Sequence, residues 1–277
     1  MIWLLEKRTK LPWETLTELL CGLEPGLTLL AARPSRGKTT MEDQVALWTA
    51  AKGLKVGRIT LDSTREELLQ RAMCRKAGVS LPKLKWGYAG RSQLAAVREA
   101  KDLLQDYGMM FDDTSREIRQ ICTRARAWKM RHGLDLLTVD YVQLIDASEM
   151  GYRASDANAR VGYVSKTLKG LALELRVPVL ALSQLNRAVE KEGREPQLSD
   201  LRDSGSLEQD AAKVLFTAKA RKVEEFKQLR PVWVDVAKNQ DGETGKLEFW
   251  LYPHYFRFER AQNDFEDLEE MKASLGL

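Results

Sequence analysis

A chain of 277 residues with 44% apolar and 30% charged residues carries enough apolar material for a packed core, and a formal charge of +4 is a mild basic bias, compatible with nucleic acid without arguing for it. Three cysteines, Cys21, Cys74 and Cys122, lie far apart with only two histidines in the chain, which speaks against a disulfide framework or a zinc site and for a reducing cytoplasm. The apolar stretch within Met1–Arg8 is too short for a signal peptide, and no run of about 18 apolar residues occurs, so nothing directs the chain to a membrane.

In chain order, the apolar run Leu27–Ala31 reads as a strand. It leads into Ala32-Arg33-Pro34-Ser35-Arg36-Gly37-Lys38-Thr39 and then a helix over Thr40–Ala51. Strand, loop and helix in that order are the layout of a phosphate-binding loop. Small residues let backbone N–H groups turn inward on phosphate, Lys38 adds a mobile positive charge, and the Thr39 hydroxyl is a ligand for Mg²⁺. The helix N-terminus that follows is itself an anion site. Arg33, Pro34, Ser35, Arg36, Gly37, Lys38, Thr39 and Thr40 are the candidate nucleotide-binding residues, with Ala32 standing where the usual pattern begins with glycine.

Val56–Leu61 reads as the next strand, ending at Asp62. A helix over Arg65–Ala77 follows, with Leu68, Leu69, Ala72 and Met73 on one side, and its Arg71 joins the nucleotide-binding set. A helix over Ser92–Tyr107 takes Ser92 as its cap, and a short strand, Met109–Phe111, precedes Ser115, which is read as the cap of a helix ending near Arg131. Leu134–Val139 is a continuous apolar strand closed by Asp140, of the kind a sheet covered on both faces requires. Ala157–Leu175 is a long helix, Val177–Leu182 a strand and Gln184–Gly205 a polar loop. Val214–Ala218, Val232–Ala237, Leu247–Leu251 and Phe256–Phe258 are strands with little helix between them. The fold class is therefore α/β, a mostly parallel sheet flanked by helices, with antiparallel strands added at its C-terminal edge. No internal repeat or interdomain linker interrupts residues 12–260, and 261–277 is an acidic tail.

A phosphate-binding loop becomes an NTPase when a carboxylate at the end of another strand holds the Mg²⁺ shell. Asp140 has that placement, so Thr39 and Asp140 are the metal candidates. A second carboxylate, to orient the attacking water, is expected at the end of the strand after the first helix, and Asp62 fills it. Gln184, at the end of Val179–Ser183, is placed to feel the γ-phosphate.

Several stretches together carry a family resemblance: Gly22-Leu23-Glu24-Pro25-Gly26, Val139-Asp140-Tyr141-Val142-Gln143-Leu144, Pro178 to Arg187, Ser199 to Asp210, and Lys238-Asn239-Gln240-Asp241-Gly242 up to Phe258. Over residues 12–260 the chain resembles the RecA-like ATPase domain of DnaB-family replicative DNA helicases. The Asp200-Leu201-Arg202-Asp203-Ser204-Gly205 and Ser183-Gln184-Leu185-Asn186-Arg187 stretches fit these helicases better than RecA or KaiC relatives. The resemblance implies ATP and Mg²⁺ as cofactors, a ring of identical subunits, expected as a hexamer, and single-stranded DNA in its channel. It assigns DNA contacts to Arg202, Asp203 and Gly205, and to Arg153 and Arg160 in a second loop, Ser148–Arg160, followed by Lys166 and Lys169. A glycine-containing loop beside an arginine suits the backbone of a strand whose sequence is not read. Primase, a helicase loader or a host replicative helicase are the protein partners it implies.

The chain departs from the family pattern at three points. Asp62 stands in place of a catalytic glutamate, one methylene longer. The family offers a neighbouring subunit's site a lysine and an arginine, of which Lys238 remains while Gln240 replaces the arginine. Arg36, in place of an apolar residue, is a candidate to supply that charge in cis. The family's amino-terminal collar domain and most of its linker helix have no counterpart before Leu11. Two functions follow: an ATP-driven motor on single-stranded DNA, with Asp62, Lys38, Gln184 and Lys238 as catalytic residues, or a weakly hydrolysing nucleotide-binding partner for helicase loading or assembly.

Overall fold

The computed structural model describes residues 8–151, 157–201, 205–220 and 229–261. In chain order its elements are α1 (Glu14–Leu20), β1 (Gly26–Ala32), α2 (Lys38–Ala51), β2 (Val56–Thr60), α3 (Arg65–Ala77), α4 (Leu81–Lys85), α5 (Arg91–Gln105), β3 (Met109–Asp112) and α6 (Ile118–His132). Then come β4 (Leu136–Asp140), α7 (Ala157–Leu175), β5 (Pro178–Gln184), α8 (Ala188–Lys191), α9 (Gly205–Asp210), β6 (Lys213–Lys219), β7 (Arg230–Asn239), β8 (Gly245–Tyr252) and β9 (Arg257–Arg260). Among the described residues the strands form one sheet in the order β3-β2-β4-β5-β1-β6-β7-β8-β9. From β3 to β6 every pairing is parallel, and β7 to β9 are added antiparallel.

β2 and β4 are buried at every position, as strands under helices on both faces must be. On one face α1 and α2 pack through Leu16, Leu20, Met41, Val45 and Ala46 onto Leu30, Val56 and Leu182, and onto Val234, Phe249 and Phe258 of the antiparallel strands. On the other face α6 and α7 bring Ile121, Ala125, Val164, Leu168 and Leu171 against Leu29, Ile59, Val139 and Val179. No helix among the described residues is long and apolar enough to cross a membrane.

The parallel register aligns the carboxyl ends of the strands that matter: Ala32 lies opposite Gln184, and Thr60 opposite Asp140. The phosphate loop, Asp62, Asp140 and Gln184 therefore meet at one edge, where open α/β sheets bind ligands.

Several local expectations change. The helix after the phosphate loop, α2, opens at Lys38, inside the loop, instead of Thr40. α5 is entered from Gly90, so Ser92 lies within it and is not its cap. Ser115 does not cap α6: its hydroxyl donates to Asp112, together with the Ser115 N–H, and the helix starts after Glu117. β6 runs parallel to β1, because the segment carrying α8 and α9 forms the long crossover that parallel pairing requires. The polar loop itself holds α8 and a short 3-10 turn, Leu198–Asp200. The first residues of the amino-terminal segment, 1–7, and nearly all of the acidic tail, 262–277, lie outside the described residues.

Candidate nucleotide-binding site

Ser35 and Gly37 take positive φ, 61° and 83°, which bends the loop between β1 and α2 back on itself and turns successive N–H groups inward. At Gly37 a side chain has no room: a Cβ would lie 2.6 Å from Cζ of Phe258 and 3.1 Å from Cδ2 of Leu251. The antiparallel strands thus press directly on the phosphate loop.

The Asp140 carboxylate is the hub of the site. It accepts from Lys38 Nζ on one oxygen and from Thr39 Oγ1 on the other, both at 2.9 Å. The carboxylate is almost fully buried, and the ammonium of Lys38 also sits 4.5 Å from the centre of the Tyr141 ring. A buried carboxylate shared by an ammonium and a hydroxyl is a ready place for a hard dication to join them. Above it opens a cleft of about 570 Å³. Arg33, Pro34, Ser35, Gly37, Lys38, Thr39 and Thr40 form its loop side, and Asp62, Arg71 and Gln184 also line it. The main chain of Gln184 is fixed by Gln143, whose side-chain oxygen accepts from the Gln184 N–H while its amide donates to Ser183 Oγ and the Gln184 carbonyl. Asp62 is exposed on the rim.

Two loop arginines differ from expectation. Arg33 donates to the Leu185 carbonyl and to Glu190 Oε2, both at 2.8 Å, so its terminal nitrogens are tied to the segment after β5. Its hydrogen bond holds the Glu190 carboxyl below the usual carboxylate range. Arg36 lines an adjoining cavity of about 480 Å³ with Glu190 and Arg194, and is not among the residues lining the first cleft.

Lys238 lies opposite Val214 at the start of β6, toward the other edge of the sheet, and is not part of this chain's own cleft. Its Nζ donates to the Glu208 carbonyl at 2.6 Å. The turn beyond it is tied down by Gln240 N–H to Ala212 O and by buried Lys213, which pairs with Glu24 and, at 2.9 Å, with Asp241. Of the DNA candidates, Arg153, Arg202 and Asp203 lie outside the described residues. Gly205 opens α9, which packs so closely on α7 that a Cβ at Gly162 would lie 2.9 Å from Ser206 Oγ. Arg160 is occupied within the fold, donating to the Ile145 carbonyl, and Lys169 pairs with Asp210, whereas Lys166 is exposed.

Sequence reasoning missed Ser63, Tyr141, Arg230, Leu251, Pro253 and Phe256, which complete the lining. Tyr141 was recoverable as the neighbour of Asp140. The last four come from β7, β8 and the turn after β8, about 200 residues downstream, and carry no local signal. Also unforeseen was a buried charge chain behind the loop helix: Arg58, on β2, pairs with Glu42 at 2.7 Å and Asp43 at 2.5 Å, and Asp43 pairs with Arg75 at 2.5 Å. Burial raises the Glu42 carboxyl, whereas at Asp43 the same burial is outweighed by Arg75 and Arg58, which hold it low.

A phosphate loop, a strand-end carboxylate beneath it and antiparallel strands closing one edge of a parallel sheet define a RecA-like P-loop NTPase fold. Two of the solved structures that share this shape illustrate it. One, described as an ATPase domain, superposes with a TM-score of 0.84 at 26% identity, covering 94% of this chain and 95% of that one. The other, a DnaB-like replicative helicase described with its interactions with primase, superposes with a TM-score of 0.84 at 27% identity over 92% of this chain and 62% of that one. The family model of the DnaB-like helicase C terminal domain matches residues 10–260, and the chain belongs to that family. Among curated relatives, the replicative DNA helicase DnaB of Geobacillus stearothermophilus is 32% identical over 249 residues, 88% of this chain and 54% of the relative. The replicative DNA helicase DnaC of Bacillus subtilis is 32% identical over 245 residues, 87% of this chain and 54% of the relative. The chain spans about half the length of these relatives.

Proposed function

We propose that this chain is the ATP-hydrolysing motor unit of a replicative-type helicase: it binds ATP with Mg²⁺, and in a ring it couples hydrolysis to movement along single-stranded DNA. The observation that carries this reading is the Asp140 carboxylate bridging Lys38 and Thr39 at the floor of a cleft whose rim holds Asp62 and Gln184. The donor set fits the cation, since Thr39 and Asp140 offer hard oxygens, one partly through water. Mg²⁺ there would neutralise charge on the β- and γ-phosphates. The loop N–H groups and Lys38 hold the triphosphate, Asp62 orients the attacking water and Gln184 senses the γ-phosphate. The apolar wall of Leu251, Pro253 and Phe256, with the Arg71 guanidinium 5.6 Å from the Phe256 ring centre, suits the base. Lys238, held at the far edge of the sheet, serves the site of a neighbouring subunit in a ring of identical chains, expected as a hexamer. The loop at 200–205, with Arg202, Asp203 and Gly205, is the proposed grip on DNA.

Asp62, with its shorter side chain, and Gln240 favour one alternative: a weakly hydrolysing nucleotide-binding partner that acts in loading or assembly beside primase, a loader or another helicase. ATP hydrolysis with and without single-stranded DNA, with Lys38→Ala as the blank, separates the two. A motor hydrolyses well above the blank and faster on DNA. A rate no higher than that of Lys38→Ala under every DNA condition rules the motor out.

A further inference from the structure

Phe256 has φ of +50°, a left-handed conformation that a bulky residue adopts only where its surroundings compel it. Phe256 ends the four-residue turn between β8 and β9, where the Tyr255 N–H donates to the Tyr252 carbonyl, and α3 holds that turn from outside. Arg75 Nη1 donates to the Phe256 carbonyl at 2.9 Å, while its other terminal nitrogen donates to Asp43 Oδ2 at 2.5 Å. One turn earlier on the same helix face, Arg71 stands 5.6 Å from the Phe256 ring centre. The turn is pinned again where the Leu81 N–H donates to the His254 carbonyl. Asp43 is itself fixed by Arg58, and Arg58 by Glu42, so the grip on Phe256 is anchored in buried charge on α2 and β2. Phe256 lines the cleft and Arg75 does not.

We propose that Arg75 is a positioning residue for base recognition: by holding the Phe256 carbonyl it sets the Phe256 ring as the face on which the nucleobase stacks. Arg75 thereby governs the part of nucleotide affinity that the phosphates do not supply. The inference rests on the cleft being a nucleotide site with its base against Phe256, and it deepens that reading.

Two ligands separate base from phosphate: ATP, and inorganic tripolyphosphate, which has no base. Calorimetric titration of each, in Mg²⁺, would be run on the parent chain, Phe256→Ala, Arg75→Lys and Arg75→Met. Lysine keeps a counter-charge for Asp43 but cannot span both partners; methionine keeps volume without a donor. Phe256→Ala is expected to weaken ATP by roughly 5- to 100-fold, the range base–aromatic stacking commands, with tripolyphosphate within about 2-fold of the parent. The Arg75 variants are expected to show the same selective loss, smaller in Arg75→Lys. If Phe256→Ala leaves the ratio of the two affinities unchanged, the base reading itself fails. If Phe256→Ala shifts the ratio and the Arg75 variants do not, or if these lose both ligands equally, the positioning role is overturned while the base reading stands.

Discussion

Replacing Gly37 with alanine tests how the antiparallel strands meet the phosphate loop. The substitution acts twice. An L-residue at φ of +83° carries a conformational cost of about 1–2 kcal/mol. The new methyl would also lie 2.6 Å from Phe258 Cζ, about an ångström inside ordinary contact, and Phe258 has little freedom to yield. Its ring is fully buried, edge-on to Trp13 at 6.4 Å and to Phe249 at 6.2 Å, and its backbone is clasped by the Gln44 side chain. Overpacking of this kind costs about 1–3 kcal/mol. The sum, about 2–5 kcal/mol, corresponds to a melting temperature lowered by roughly 4–20 °C for a chain of this size. Affinity for Mg-nucleotide should fall with it, because the loop can relieve the contact only by leaving the cleft. The decisive assay is a double-mutant cycle with Phe258→Leu, followed by thermal and denaturant unfolding. Leucine opens space beside Gly37, so Gly37→Ala should cost about 1–3 kcal/mol less in that background, the steric part alone being recovered. A cycle with no coupling, or a Gly37→Ala protein that melts with the parent and binds nucleotide equally, would refute the reasoning.

Arg58→Met should destabilise by about 3–5 kcal/mol, because it leaves Glu42 buried without its counter-ion. The loss should depend on pH. The folded Glu42 carboxyl sits above its ordinary 4.5, so the native state binds protons that the unfolded chain releases, and removing Arg58 raises it further. The deficit should therefore be smallest near pH 4.5 and grow toward neutrality; a deficit constant from pH 5 to 8 would contradict the assignment. Asp62→Glu restores the missing methylene and should raise single-turnover ATP hydrolysis by about 10- to 100-fold, since a misplacement near an ångström costs up to that much. An unchanged or lower rate would remove Asp62 from the role of orienting water.

What the sequence disclosed and what it concealed divide along the range of the interactions. Asp140 and Gln184 were legible because each closes a strand, Asp62 because it follows one, and Lys38 and Thr39 because they open the helix after the β1 loop; the parallel register brings all these ends to one edge. Strand direction is not written locally, so β6 read like its antiparallel successors although it pairs parallel with β1. Arg58, a charged residue within a strand, gives no sign that Glu42 and Asp43 await it on the neighbouring helix. Arg33 and Arg36 looked alike as cations beside a phosphate loop. The Leu185 carbonyl and Glu190, the latter 157 residues from Arg33, draw the terminal nitrogens of Arg33 toward the segment after β5. Short helices such as α1 and α4 escaped because a few turns carry too little periodicity to stand out from loop.

Phe258, which seals the phosphate loop at Gly37, also accepts through its carbonyl from the indole of Trp13. The residues that finish the loop's shape are thus among the last described, and they reach back to the first helix. On the ribosome the stretch at 32–39 emerges about 200 residues before Phe258, so it lacks both the ring that packs on Gly37 and the apolar wall of its cleft until residue 258 is free of the exit tunnel. If the cleft is the proposed nucleotide site, a nascent chain gains it only when β9 docks, so nucleotide capture would report that this strand is in place.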